Sequence, residues 1–154
     1  MHPVTIRELP GRRVVGLPHL GPYPEVGPVF ERVWAALGAA GLRQQAGHGV
    51  MVAFSDPDAV PASALESFAG VLMAEEVPCP VGLEDCRLAG GRHAVMAHRG
   101  PYGTLKEAYG HIYGPWMAEA GEIPGRGPSH EVYLNDPSET APDDLRTDIC
   151  VPLA

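Results

Sequence analysis

The chain has 154 residues, 45% of them hydrophobic, and a net charge of −8 at pH 7, a size that suits a single domain with a real core. No apolar run reaches the roughly 18 residues of a membrane helix, and the opening MHPVTIREL lacks an apolar signal core, so a cytoplasmic protein with no membrane contact is expected. Direct nucleic-acid contact is not expected either: the adjacent Arg12 and Arg13 stand alone, without the basic stripe that neutralises phosphates.

In chain order, the first elements are two short strands, Ile6 to Leu9 and Arg13 to His19, which Pro10-Gly11 is expected to join as a tight hairpin. Gly21-Pro22-Tyr23 opens a helix near residues 25–40. There Val26, Val29, Phe30, Val33, Trp34 and Leu37 keep the i, i+3, i+4, i+7 spacing of one buried face. Pro28 lies in its first turn, where a missing N–H costs little, and Gly41 stands where a C-cap glycine belongs. A strand from Val50 to Phe54, a loop opening with Asp56-Pro57 and a strand from Ser67 to Met73 complete the series. Pro78, Pro80 and Gly82 mark a linker.

The series then begins again. Gly100-Pro101-Tyr102 repeats Gly21-Pro22-Tyr23 at a distance of 79 residues, and Asp136-Pro137 repeats Asp56-Pro57 at 80. Cys86 to Leu88 and Arg92 to His98 repeat the hairpin around Gly90-Gly91. Leu105, Ala108, Tyr109, Ile112, Tyr113 and Trp116 repeat the helix face near 103–120, and Gly121 repeats the cap. Pro115, inside this second helix, is expected to kink it or end it early. His130 to Leu134 and Thr147 to Leu153 are the closing strands.

The chain therefore reads as one domain, 1–154, built from two ββαββ repeats at about 4–77 and 83–154. The expected fold is α+β: an antiparallel sheet with two helices on one face, the modules related by a pseudo-two-fold axis, and a groove between the helices.

The repeat breaks its own rule at one position. Glu131 pairs with Met51, and Tyr133 with Ala53. Residues 131 and 133 share one face of a strand. If Met51 faces the helices, so does Glu131, and a carboxylate points into an interior rich in Phe30, Trp34, Tyr109, Tyr113, Trp116 and Tyr133. Burial would raise its pKa, and aromatic faces beside it would suit an aromatic or cationic organic ligand. The alternative is a solvent-facing Glu131, or one tied to Arg99 or Arg126. His130 points to the opposite face of that strand and is expected at the surface. His98 stands at the end of a strand.

The strand–Gly-Pro-Tyr–helix unit, the helix ending Ile112-Tyr113 and Trp116, and Glu131-Val132-Tyr133 followed by Asn135-Asp136-Pro137 together resemble the GyrI-like small-molecule-binding family. This is the effector-binding domain also fused to AraC-type and MerR-type regulators. The resemblance covers nearly the whole chain. It implies two strand–helix–strand–strand (SHS2-like) modules forming a groove for aromatic, often cationic compounds, with a strand glutamate in the pocket. Glu131 matches that glutamate, Tyr133 shares its face, and Trp116 matches the aromatic of the second helix; Met51 and Trp34 follow only from the internal repeat. No DNA-binding segment is expected beside these motifs.

Three functions follow as expectations. The first is a stand-alone binder of hydrophobic, possibly cationic compounds, acting in multidrug-type sensing or sequestration. The second is a hydrolase of strained cyclopropane-bearing or other toxic electrophiles, with Glu131 as acid or base and Tyr133 or Tyr109 assisting. The third is a protein partner role toward a regulator or gyrase, in which Asp143, Asp144 and Asp148 would present an acidic patch. No cofactor or metal is expected: the seven histidines show no zinc spacing. Cys79, Cys86 and Cys150, odd in number and without CxxC spacing, read as reduced structural thiols.

Overall fold

The computed structural model describes residues 2–154. In chain order its elements are β1 (Val4–Leu9), β2 (Arg12–Leu20), α1 (Gly27–Ala39), β3 (Gly49–Ala53), β4 (Glu66–Leu72), β5 (Glu84–Leu88), β6 (Gly91–Arg99), α2 (Leu105–His111), a π-helical turn (Ile112–Trp116), α3 (Met117–Ala120), β7 (Ser129–Tyr133) and β8 (Arg146–Pro152). The fold is α+β, with eight strands and two helical segments, since α2, the π turn and α3 run on continuously. Two compact units divide the chain: Gly11–Ala89, and Gly90–Ala154 together with residues 2–10.

Within the first unit the strand order is β5-β2-β4-β3; within the second it is β1-β6-β8-β7, every pair antiparallel. This corrects the hairpins. β1 does not fold back on β2 across Pro10-Gly11 but pairs with β6, from Val4 opposite Met96 to Leu9 opposite Gly91. β5 likewise pairs with β2 and not with β6. The turn chemistry explains it. A two-residue hairpin needs a positive φ at its first central position, which proline cannot adopt, and Gly11 takes no positive φ either. The chain runs straight on, and each repeat supplies the first strand of the other unit.

Each helix covers one face of its own sheet. In the first unit Val29, Val33 and Leu37 of α1 are buried, packing toward β2 and β4. In the second, Leu105, Ala108, Ile112 and Met117 pack with Ala94, Met96, Ile149 and Val151, which alternate along β6 and β8 as the two-residue strand period requires. Pro115 does not end the helix. It falls within the π turn, whose wider i→i+5 register accommodates a residue without an N–H, and the helix continues to Ala120. Both helices close alike. Gly41 and Gly121 adopt φ of 70°, and Leu42 N–H bonds Leu37 C=O at 2.9 Å while Glu122 N–H bonds Met117 C=O at 3.0 Å.

The opposite face of the second unit's sheet is also buried. Leu9, Val95 and Cys150 form a cluster there. His130, opposite Cys150 in register, is only 2% exposed and meets the His93 ring edge-on at 5.9 Å. The surface expectation for His130 was wrong: alternation assigns a face, but does not say what covers it. In the first unit a buried Arg13 donates to Asp85 at 2.5 Å and to the carbonyls of Ala74 and Val77 at 2.6 Å, fastening β5 and the segment before it to β2. Among the described residues no helix is long and apolar enough to cross a membrane.

Candidate functional site

β7 sets Glu131 and Tyr133 on the helix-facing side of the second unit's sheet, opposite Ile149 and Thr147 of β8. Glu131 is 5% exposed. Its Oε1 accepts a hydrogen bond from the Tyr133 hydroxyl and its Oε2 one from the Tyr109 hydroxyl, each at 2.7 Å. One donor arrives along the strand, two residues on; the other descends from α2. Among the described residues no Lys or Arg forms an ion pair with this carboxylate. Arg99 instead pairs with Asp144 at 2.6 Å, which also engages one of the three aspartates proposed as an acidic patch.

Burial pushes the Glu131 carboxyl above its ordinary range, and the two tyrosine hydrogen bonds pull it part of the way back. Burial raises the Tyr109 and Tyr133 hydroxyls well above their usual range, and the Glu131 charge raises them further. Both tyrosines are therefore held as neutral donors at neutral pH. The arrangement is a buried carboxylate with both oxygens satisfied by neutral groups and no counter-cation among the described residues.

Aromatic rings extend from this centre toward solvent. Tyr113, 45% exposed, stacks on Tyr109 with ring centres 6.4 Å apart. Tyr102, 38% exposed, meets Tyr133 edge-on at 5.5 Å. Trp116, in the π turn, packs against the helix–sheet core. The structure thus brings Glu131, Tyr109, Tyr113 and Tyr133 into one connected cluster.

The other candidates belong to the first unit. Met51 is buried and faces Ala69 in the register that Glu131 has toward Ile149. Phe30 holds the helix position of Tyr109 and is partly buried; Trp34 holds that of Tyr113 and is 36% exposed. Ala53 stands where Tyr133 does. The first unit therefore supplies no acid and no hydroxyl donor at these positions.

Sequence reasoning treated Gly100-Pro101-Tyr102 as a turn and passed over Tyr102 as part of the site. The signal was available in the aromatic residue itself, but its seat on Tyr133 depends on a neighbour the motif does not contain. His98 is engaged by that same turn. The Thr104 hydroxyl donates to Pro101 C=O at 2.8 Å, so the 3.0 Å contact between Thr104 Oγ1 and His98 Nε2 has the histidine as donor. Burial, with a smaller contribution from His2, lowers the His98 pKa, and among the described residues its buried Nδ1 has no hydrogen-bond partner. Among the described residues no three His, Cys, Asp or Glu side chains gather as metal ligands, and Cys79, Cys86 and Cys150 form no disulfide with one another.

The model of a family described as the GyrI-like small molecule binding domain matches residues 2–154. Among solved structures, the EcmrR C-terminal domain superposes with a TM-score of 0.79 at 13% identity, covering 100% of this chain and 98% of that one. A hydrolase from Listeria innocua gives 0.72 at 14% identity, over 99% and 92% of the two chains. SAV2435, solved bound to tetraphenylphosphonium, gives 0.68 at 12% identity, over 99% and 94%. At these identities the structural likeness establishes the fold.

Proposed function

Since the chain belongs to the GyrI-like small-molecule-binding family, we propose that its own ligands are aromatic cations, bound at the Glu131 cluster in a sensing or sequestration role. One observation carries the proposal: Glu131 is buried with no cationic partner among the described residues. An ionised carboxylate in such a place is costly unless it is compensated, and two neutral tyrosine donors compensate it in part. A ligand cation would complete the compensation. Its attraction is strengthened by exclusion of water, and the Tyr109, Tyr113, Tyr133 and Trp116 rings add stacking and cation–π contacts of about 0.5–2 kcal/mol each. Membership supports small-molecule binding in general, and the tetraphenylphosphonium held by SAV2435 makes that ion a natural first probe.

The test is calorimetric. Tetraphenylphosphonium should bind in the low micromolar range, since about −0.3 kcal/mol per heavy atom over about 25 atoms gives roughly −7.5 kcal/mol. Tetraphenylborate has the same shape and the opposite charge, and should bind far more weakly. Glu131→Gln keeps the shape and removes the charge, so it should weaken the phosphonium by about 1–3 kcal/mol and leave neutral triphenylphosphine oxide unchanged. Equal losses for both would contradict the proposal.

A second reading rests on the raised Glu131 pKa and the two hydroxyls on its carboxylate. Such a group can pass protons, and we infer hydrolysis of strained electrophiles as the alternative, with Glu131 as acid or base and Tyr109 or Tyr133 assisting. On that reading Glu131→Gln abolishes product formation while largely preserving affinity. Mass spectrometry of products from a cyclopropane-bearing electrophile separates the two.

A further inference from the structure

The two units use the tyrosine of their Gly-Pro-Tyr turns differently. In the first unit the Tyr23 hydroxyl is seated on the backbone at the end of β3: it donates to Ser55 C=O at 2.5 Å and accepts from Ser55 N–H at 3.1 Å. In the second unit Tyr102 leaves the equivalent place, the backbone of Asn135, and lays its ring against Tyr133. The abandoned seat is built in the same way as the occupied one. Phe54 N–H bonds Glu66 C=O at 2.9 Å, and Leu134 N–H bonds Arg146 C=O at 3.0 Å. Glu66 N–H bonds Ser55 Oγ at 2.9 Å, and Arg146 N–H bonds Asn135 Oδ1 at 3.0 Å. What differs is the neighbouring side chain: Ala53 offers no ring to Tyr23, whereas Tyr133 offers one to Tyr102. Tyr133 is also one of the two residues holding Glu131.

We propose that Tyr102 is an internal competitor for the ligand: in the free protein its ring occupies the aryl-group subsite on Tyr133, and a bound aryl cation displaces it to the Asn135 backbone seat. The inference rests on the binding reading above and adds the occupant and its exit. Each seat exchanges something for what it gives up. On Tyr133 the ring gains an edge contact and its hydroxyl has no hydrogen bond to the described residues; at Asn135 the hydroxyl gains two bonds and the ring loses its partner. A side chain with two such seats is a two-state element, and a ligand that takes one of them shifts it to the other. The turn's tyrosine lies between two glycines, Gly100 with φ of 140° and Gly103, so no side chain at either position obstructs this movement. While the ring fills the subsite, apparent affinity is reduced by the fraction of time the subsite is open.

The test separates a competitor from an ordinary wall of the site by sign. Tyr102→Ala removes the competitor and should raise tetraphenylphosphonium affinity, about tenfold if the subsite is open about a tenth of the time. Tyr102→Phe keeps the ring for Tyr133 but cannot bond the Asn135 backbone, so it should bind more weakly than the wild type. A wall residue gives the reverse order, with the alanine variant weakest, and that order would overturn the proposal. A readout without ligand stands beside it. Protein labelled with 3-fluorotyrosine, with Tyr102 assigned through Tyr102→Phe, should show the Tyr102 fluorine exchanging between two environments. A single environment overturns the competitor even where the phosphonium binds. Two environments without phosphonium binding to any variant uphold the movable ring and overturn the binding reading instead.

Discussion

The two units have the same framework and opposite interiors at one place. At matching positions of strand and helix, the first unit carries Met51, Ala53 and Phe30, and the second carries Glu131, Tyr133 and Tyr109. The helices close with the same capped turn, the strands keep the same register, and the Asp-Pro loops end in the same bonds. At these positions one interior is apolar; the other holds a carboxylate braced by two hydroxyls. The contrast teaches that the acid is affordable only as a set of three.

The largest expected effect comes from breaking that set in the unit that lacks it. Met51→Glu places a carboxylate at the equivalent position without either tyrosine donor, and should destabilise the protein by about 3–5 kcal/mol, as uncompensated buried charges do. Urea unfolding at pH 7 measures it, and a loss under about 1 kcal/mol would mean that the tyrosines are not what makes Glu131 tolerable. Next come Tyr109→Phe and Tyr133→Phe, each deleting one hydrogen bond to the carboxylate. Each should cost about 1.5–3 kcal/mol and raise the Glu131 pKa further, since each removes an interaction that lowers it.

The pH dependence gives a third and narrower effect. Burial raises the Glu131 pKa in the folded protein, so across the interval between the ordinary carboxylate value and the raised one the folded state binds more protons than the unfolded chain. Stability contributed by Glu131 therefore falls as pH rises through that interval, and is level above it. Glu131→Gln should remove this slope, so the wild-type-minus-variant difference in unfolding free energy declines with pH and then flattens. A rise over the same interval would contradict the burial argument. The smallest effects belong to the half-exposed counterparts Trp34 and Tyr113. Each alanine variant should change stability by about 1 kcal/mol or less, read from thermal unfolding. A larger loss at Trp34 would mean that the first unit has an aromatic site of its own.

Much of this was legible in the sequence, and the failures have physical causes. The repeat, the helix faces and the C-cap glycines could be read because local spacing and local sterics determine them. The exchange of first strands could not be read from Pro10-Gly11 as a generic turn signal; it required asking which φ that turn demands. Pro115 marked an irregular turn, but whether it ends a helix depends on the apolar face continuing past it, and Met117 is buried there. At the site, alternation put Glu131 and Tyr133 on one side and helix periodicity put Tyr109 on the facing one. That both hydroxyls reach the same carboxylate depends on side-chain torsions, which spacing does not carry. Tyr23 and Tyr102 share one motif and sit differently because residues 53 and 133 differ, a dependence visible only once the strand is beside the turn.

The central claim is that Glu131 is a buried charge held ready for a cation, and the most direct measurement is its own titration. Carbon-13 NMR of the Glu131 side-chain carboxyl, assigned through Glu131→Gln, should show a pKa above the ordinary glutamate range in the free protein, and a lower one once tetraphenylphosphonium is bound. A Glu131 that titrates in the ordinary range when free, or whose pKa is unmoved by the bound cation, would contradict the account.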